Sequence, residues 1–413
     1  MISSGPCLRI AALAAISLVQ IGVLPAAAQE AKLTPKTLKE QLASNPTGAD
    51  AERLAGEVRL MFGRSLTHGT MKKQDGLTLA FGVETVGVTR NSSPKVSFSD
   101  GQPDLPLQRI GDTVVYAAVV TMPNLAAGHW RMTLGEALRS EGDYEVYSID
   151  PASVASPAAP HGTLTKQSGF RSLMYLQTER DWWIYVPAQY KPDQPACVMI
   201  FQDGEAYIGF VPTVVDNLIA AGEMPVTVCI FINPGKLLPD GTPRGNNQRS
   251  YEYDTVSDQY SKFLLEEILP EAEKTVKLRH DAESRCIAGL SSGASCAFTA
   301  AWFRPDQFSK VLSWIGSYTD LAGGKTGIEG AHNLPFMIRR AEKKPIRVYL
   351  QDGDHDLDNQ FGNWPLANQS MAAALKFRGY DYQFDLGHGG HSGAMGTAYL
   401  PAALRWLWKG YKP

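Results

Sequence analysis

From about residue 165 onward, apolar residues gather in short, nearly unbroken runs, and between the runs they fall at helical spacing. ACVMIFQ, TVCIFIN, RCIAGL, KVLSWIG and IRVYLQD read as strands with apolar side chains on both faces, as in a sheet covered on both sides. The intervening VPTVVDNLIAAG, DQYSKFLLEEILPEAEKTV, SGASCAFTAAWF and QSMAAALKFRG read as helices. Strand alternating with helix predicts a parallel sheet in a three-layer α/β arrangement. SLMYLQ and DWWIYVP are expected to open it as an antiparallel pair. Residues 70–150 have a different rhythm: LTLAFGVET, KVSFS, TVVYAAVV, HWRMTL and YEVYS alternate with Gly, Pro, Asn and Asp, which predicts a small β-sandwich. Before it, GADAERLAGEVRLMF has helical spacing, and residues 29–65 read as a polar start and one helix. PASVASPAAPHG, residues 151–162, reads as a linker.

The first 29 residues carry one charge, Arg9, ahead of the apolar run Ile10–Ala28, which ends in Ala26-Ala27-Ala28. That order is a secretory signal peptide, and Gln20 and Pro25 within the run argue against a membrane anchor. The expected organisation is a signal peptide at 1–28, an N-terminal helix with β-sandwich and linker at 29–160, and the α/β domain at 165–413. Export is to the periplasm or the medium, and no membrane span is expected in the mature chain. Removing residues 1–28 also removes Cys7 and leaves a net charge of −4. No basic excess exists to neutralise phosphates, so nucleic-acid binding is not the main activity. Cys197, Cys229, Cys286 and Cys296 each lie in apolar runs, where free cysteines behave as small hydrophobes; no C-x-x-C spacing supports a metal site.

Candidate chemistry centres on Gly289-Leu290-Ser291-Ser292-Gly293, a G-x-S-x-G pattern with an expected strand before it and an expected helix after it. Strand–turn–helix context makes it a nucleophile elbow with Ser291 exposed at the end of the sheet. A serine needs a base, and the base needs an orienting acid, in chain order Ser, acid, His. His391, in LGHGGHSGAMG, is the expected base, with His388 lining the pocket or solvated. The acid should follow IRVYLQ, where Asp352, Asp354, Asp356 and Asp358 crowd seven positions. Asp356 is the choice, Asp352 coming early at the strand end, with Asp354 and Asp358 as fallbacks. A calcium loop fits less well, because Leu357 and Asn363 stand where such a loop needs Gly and Glu. Two backbone N–H groups must hold the oxyanion: that of Ser292, and that of Gly204 or Glu205 in the loop after ACVMIFQ.

From about residue 180 to the end, the chain resembles the enterochelin-esterase-like branch of the esterase D superfamily, which also holds feruloyl and acetyl-xylan esterases. RDWWIYVPAQY, VMIFQDGEAY, NQRSYEYD, IAGLSSGASCAFTAAWFRPDQFSKVLSWIGSY, LQDGDHDLDNQFGNWPLANQ and GHGGHS carry the likeness. The resemblance implies an α/β-hydrolase domain behind an immunoglobulin-like β domain. It implies a serine esterase using Ser291, Asp356 and His391, with no metal or cofactor. It also implies that Arg249, Glu252 and Trp364 lie near the substrate mouth, with a structural ion pair and a buried tryptophan as the plainer readings. An ester of a carbohydrate or an aromatic acid suits the exposed location and the aromatic supply of Trp182, Trp183, Tyr207 and Trp364. A siderophore-like ester belongs to the same chemistry, although no Lys/Arg cluster suits a triply charged ferric catecholate. A non-catalytic carbohydrate- or siderophore-binding protein is the rival class. The β domain is expected to act as a lid, a spacer or a homodimer surface.

Overall fold

The computed structural model describes residues 33–74, 77–85, 93–242, 247–322 and 330–412. The expected signal peptide lies outside them. Among the described residues no helix is long and apolar enough to cross a membrane.

Eight main strands build one large sheet: β1 Thr163–Arg171, β2 Thr178–Val186, β3 Cys197–Gln202, β4 Thr227–Ile232, β5 Arg285–Leu290, β6 Lys310–Trp314, β7 Arg347–Gly353 and β8 Asp381–Gly387. They lie in the order β1-β2-β4-β3-β5-β6-β7-β8, with the two-residue strand Lys236–Leu237 as a ninth beside β2. β1, β2 and β4 pair antiparallel, and every pair from β4 onward is parallel. The alternation is visible residue by residue. Val198 and Ile200 of β3, Ile287 of β5 and Val348 of β7 point into one core with Phe263, Phe298, Trp302 and Leu375. Met199 and Phe201, Cys286 and Ala288, and Tyr349 point into the other, with Val214, Leu218, Leu404 and Leu407. Both faces are thus covered by helices, which is why these strands are apolar throughout. The four cysteines of the α/β part are free and buried.

The opening pair differs from the sequence expectation. SLMYLQ is not a strand but the connection between β1 and β2. Ser172 Oγ accepts the N–H groups of Met174 and Tyr175 and turns the chain there, leaving Leu173 and Leu176 exposed while Tyr175 enters the core. The strand instead starts at Thr163, two residues before the expected start of the α/β part.

Ahead of it, Thr70–Gln74, Thr78–Glu84, Val115–Thr121 and Gln108–Arg109 form one four-stranded sheet. Leu105–Pro106, Pro94–Phe98, Ala126–Leu134 and Ala137–Val146 form a second. Leu79, Phe81 and Val83 of the first pack with Val96, Trp130, Met132 and Tyr144 of the second. Ala80, Ala117 and Val115 point away from that interface and meet Leu38, Leu54, Val58 and Phe62. Those residues belong to two helices, Pro35–Ala43 and Gly48–Phe62. Sequence reading found only the second helix. The first is short and begins at a Thr34–Thr37 capping box followed by Pro35, a start signal easily passed over in a polar stretch.

Candidate active site

Ser291 sits between β5 and the helix Ser292–Phe303 at φ 54°, ψ −125°, a conformation rare for any residue with a side chain. The turn can be this sharp because Gly289 and Gly293 lack side chains: a Cβ on Gly289 would lie 2.1 Å from Gly293 O, and one on Gly293 would lie 3.0 Å from Asp203 Oδ2. Ser292 is the first residue of the helix, where backbone N–H groups have no partner within the helix.

The structure brings Ser291, His391 and Asp356 into one hydrogen-bonded line. His391 Nε2 lies 2.9 Å from Ser291 Oγ, and His391 Nδ1 lies 2.6 Å from Asp356 Oδ1. A carboxylate facing Nδ1 places the ring proton there, so Nε2 is the acceptor and the Ser291 hydroxyl donates to it. Asp356 Oδ1 also accepts the Leu357 N–H at 2.5 Å.

Behind Asp356 stands Asp352, fully buried at the end of β7. Asp352 Oδ2 and Asp356 Oδ2 are both shut off from water. Burial raises Asp352 far above the usual carboxylate range, and its hydrogen bond to Asp356, with that neighbour's charge, acts the same way. Burial also acts to raise Asp356, but hydrogen bonds from His391, Asp352 and Leu357 outweigh it and leave its pKa below the ordinary value. Burial thus favours the neutral form of Asp352, while His391 and Leu357 favour the ionised form of Asp356.

Ser317 was not singled out in the sequence. Its hydroxyl, fully buried, lies 3.1 Å from Ser291 Oγ and accepts from Trp364 Nε1 at 3.1 Å. Indole N–H only donates, and Ser291 already spends its hydrogen on His391, so Ser317 donates to Ser291. Ile315, at φ 43°, reverses the chain after β6, and Ser317 N–H then donates to Ser291 O at 3.1 Å. Positive φ at a β-branched residue was the unreadable step; no sequence pattern announces it. Ser317→Ala is expected to lower kcat by roughly 5- to 10-fold with KM steady, the worth of about one hydrogen bond. Unchanged ester turnover in this variant would remove Ser317 from the site.

Several expected mouth residues lie elsewhere. Tyr207 is fully buried, its ring packed on Phe201, Phe210 and Trp314. Trp182 and Trp183 lie on opposite faces of β2 in the two cores. Trp364 is buried behind the site, edge-on to His391 with ring centroids 5.7 Å apart. The four aromatics expected to supply a binding surface are thus all interior. His388 is exposed and bonded through Nδ1 to Asp354 Oδ2 at 2.7 Å, while Asp354 Oδ1 takes His355. Asp358 is exposed in a short hairpin. Asp354 and Asp358 thus stand apart from His391, while Asp352 lies beside Asp356.

Glu252 is a structural residue. It is buried against Arg180 through two bonds of 2.6 and 3.0 Å, and it accepts from Gln248 Nε2 and Gly235 N–H. Arg180 also lies over the Phe263 ring at 4.4 Å. Glu252→Ala leaves that guanidinium buried and unpaired, so unfolding in urea should show a loss of about 3–5 kcal/mol, with kcat of the folded fraction near wild type. A large kcat loss at unchanged stability would return Glu252 to the substrate site.

Arg249 is at the site but committed: its guanidinium grips both Asp203 oxygens at 2.8 Å. Asp203, at φ 60°, begins the loop after β3. In that loop the Glu205 N–H donates to Asn233 Oδ1 at 3.0 Å. Of the two amides considered for the oxyanion, that of Glu205 is therefore already engaged.

The family model described as putative esterase matches residues 174–407. Among characterised relatives, an iron(III) enterobactin esterase from Dickeya dadantii is 25% identical over 256 residues, 58% of this chain and 54% of that protein. The chain thus spans about half the length of that relative. Among solved structures, the enterochelin esterase of Shigella flexneri superposes with a TM-score of 0.56 at 17% identity, covering 83% of this chain and 95% of that one. A CE1 ferulic acid esterase from the anaerobic fungus Anaeromyces mucronatus gives 0.50 at 18%, covering 63% and 94%.

Proposed function

The chain belongs to the putative-esterase family, and on that premise we propose that it is a carboxylic ester hydrolase, an exported serine esterase acting through Ser291, His391 and Asp356. The observation that carries this reading is the hydrogen-bonded line from Asp356 through His391 to Ser291, at 2.6 and 2.9 Å, beside a helix N-terminus.

Ser291 Oγ attacks the ester carbonyl carbon as His391 Nε2 takes its proton. The imidazolium formed is held by Asp356, whose carboxyl the His391 and Leu357 hydrogen bonds hold below its ordinary pKa. The carbonyl oxygen becomes an oxyanion held by the N–H groups of Ser292 and Gly204, and the helix N-terminus adds to the field. His391 then returns the proton to the departing alcohol, leaving an acyl-Ser291. Water, deprotonated by the same imidazole, releases the acid and restores the serine.

The substrate is an ester of a carbohydrate or an aromatic acid, of feruloyl or acetyl type, or a siderophore-like ester. Supporting this are neighbours named for enterochelin and ferulic acid. Trp182, Trp183, Tyr207 and Trp364 do not supply its binding surface. The N-terminal helices and paired sheets form an immunoglobulin-like domain ending near residue 160, and the catalytic domain begins at Thr163. The likeness to the Shigella enzyme takes in more of the chain than the residues from Thr163 onward can supply.

Labelling with a fluorophosphonate probe tests the reading without knowledge of the substrate. The modified peptide should contain Ser291. Folded protein that resists the probe would overturn the mechanism.

A further inference from the structure

The last strand of the paired N-terminal sheets, Ala137–Val146, runs its end against the loop that carries His391. Glu145 Oε1 accepts the Gly390 N–H at 2.6 Å, and Glu145 Oε2 accepts the Ser392 hydroxyl at 2.8 Å. The residues immediately before and after His391 are thus fastened to one carboxylate. Tyr147, buried, donates its hydroxyl to His388 O at 2.5 Å. Burial, with the Glu145 charge beside it, pushes that hydroxyl far above its ordinary pKa, so it remains a donor.

The loop is shaped to receive these groups. A Cβ on Gly389 would lie 2.4 Å from the Tyr147 hydroxyl, and one on Gly390 would lie 3.3 Å from Glu145 Oε1. The glycines of GHGGHS therefore admit the N-terminal side chains as well as shaping the loop. Further contacts hold the same junction: Asp150 pairs with Arg405 at 2.8 Å, and the Asn217 amide donates to Ala152 O and Val154 O. The segment 151–162 is accordingly docked along the α/β part rather than swinging free.

We infer that Glu145 and Tyr147 are positioning residues for the esterase reaction, and that the N-terminal sheets are a working part of the active centre. The inference rests on the reading of His391 as the base. His391 stands on a glycine-rich loop with no helix or strand of its own to fix it. Its imidazole must nevertheless bridge Ser291 and Asp356 together, and a misplacement of about 1 Å in such a group can cost roughly 100-fold in rate. Three hydrogen bonds from outside the α/β part supply what the loop lacks.

The test uses the chain from residue 29 onward and its variants Glu145→Ala, Glu145→Gln, Tyr147→Phe and Glu145→Ala/Tyr147→Phe. Turnover of p-nitrophenyl acetate, the rate of fluorophosphonate labelling and Tm are measured for each. Glu145→Ala should lower kcat about 10- to 100-fold with KM within about twofold, and labelling should slow by the same factor. Glu145→Gln, which keeps one acceptor oxygen, should recover part of the loss. A double variant with wild-type kcat and Tm overturns the inference. If loss of Glu145 prevents folding, Tyr147→Phe, which removes one oxygen, decides by the same kcat-against-KM split. Failure of the underlying reading looks different: the unmutated protein itself is not labelled at Ser291, and both proposals fall together.

Discussion

Ser291→Ala should lower kcat on an aryl ester by about 10⁴- to 10⁶-fold while the protein folds normally and binds substrate with little change in KM. The magnitude follows from what the variant removes and what it leaves. Removed is the covalent route: no acyl-enzyme forms, and His391 loses its proton donor at 2.9 Å. Left in place are the oxyanion donors and the bound geometry, which in other serine hydrolases keep about 10³- to 10⁴-fold of catalysis over water. Folding should not suffer, because alanine at φ 54° replaces a serine already holding the same strained conformation. The checks are steady-state kinetics and loss of fluorophosphonate labelling. Activity retained within tenfold would show that another nucleophile operates.

The second large effect concerns the acid pair. In the serine protease template, changing the triad acid to its amide costs about 10⁴ in kcat, because the imidazole takes the wrong tautomer. Here Asp356→Asn alone should cost only about 10- to 100-fold, and the double variant Asp352→Asn/Asp356→Asn should show the full loss of about 10⁴. Asp356 meets His391 and Leu357 N–H through Oδ1, its Oδ2 is buried, and Asp352 is its carboxyl neighbour. An asparagine can keep its oxygen on His391 and Leu357 and donate its amide to Asp352. With no Asp356 charge beside it, Asp352 ionises more readily, and the negative charge moves one residue back without moving the histidine. The sign of the pH dependence follows: Asp356→Asn works with Asp352 ionised, so its activity is lost as pH falls through the Asp352 titration and returns above it. A full 10⁴ loss in the single variant, flat with pH, would mean that Asp352 takes no part.

Much of this protein was legible along the chain, because some signals are local. The main strands from Cys197 to Gly353 had to be apolar on both faces once helices covered both, so the runs declared the sheet. The elbow was readable because its glycines, serine and flanking elements all fall within a few consecutive residues. Ser291, Asp356 and His391 were chosen by chain order and loop position, and the fold brings them within hydrogen-bonding distance. Glu252 and Tyr207 misled for a physical reason. A carboxylate beside a site motif and a ring in an oxyanion loop have the right chemistry, but sequence says nothing of which way they point. Arg180 on β2 and the stack of Phe201, Phe210 and Trp314 claimed them for the interior.

What tertiary structure alone decided are contacts between residues far apart in the chain. Asp352 looks like a strand end until it is seen fully buried beside Asp356. Ser317 looks like a turn residue until Ile315 folds it back beneath Ser291. Glu145 and Tyr147 stand at the end of an N-terminal strand, more than 240 positions before the loop that carries His391. Sequence by itself determined the elements, their rhythm and the chemical groups available, since those depend on neighbours within a turn or a strand. It could not determine which distant groups meet, because that depends on how two separately built cores dock and on which few buried polar atoms each leaves for the other to satisfy.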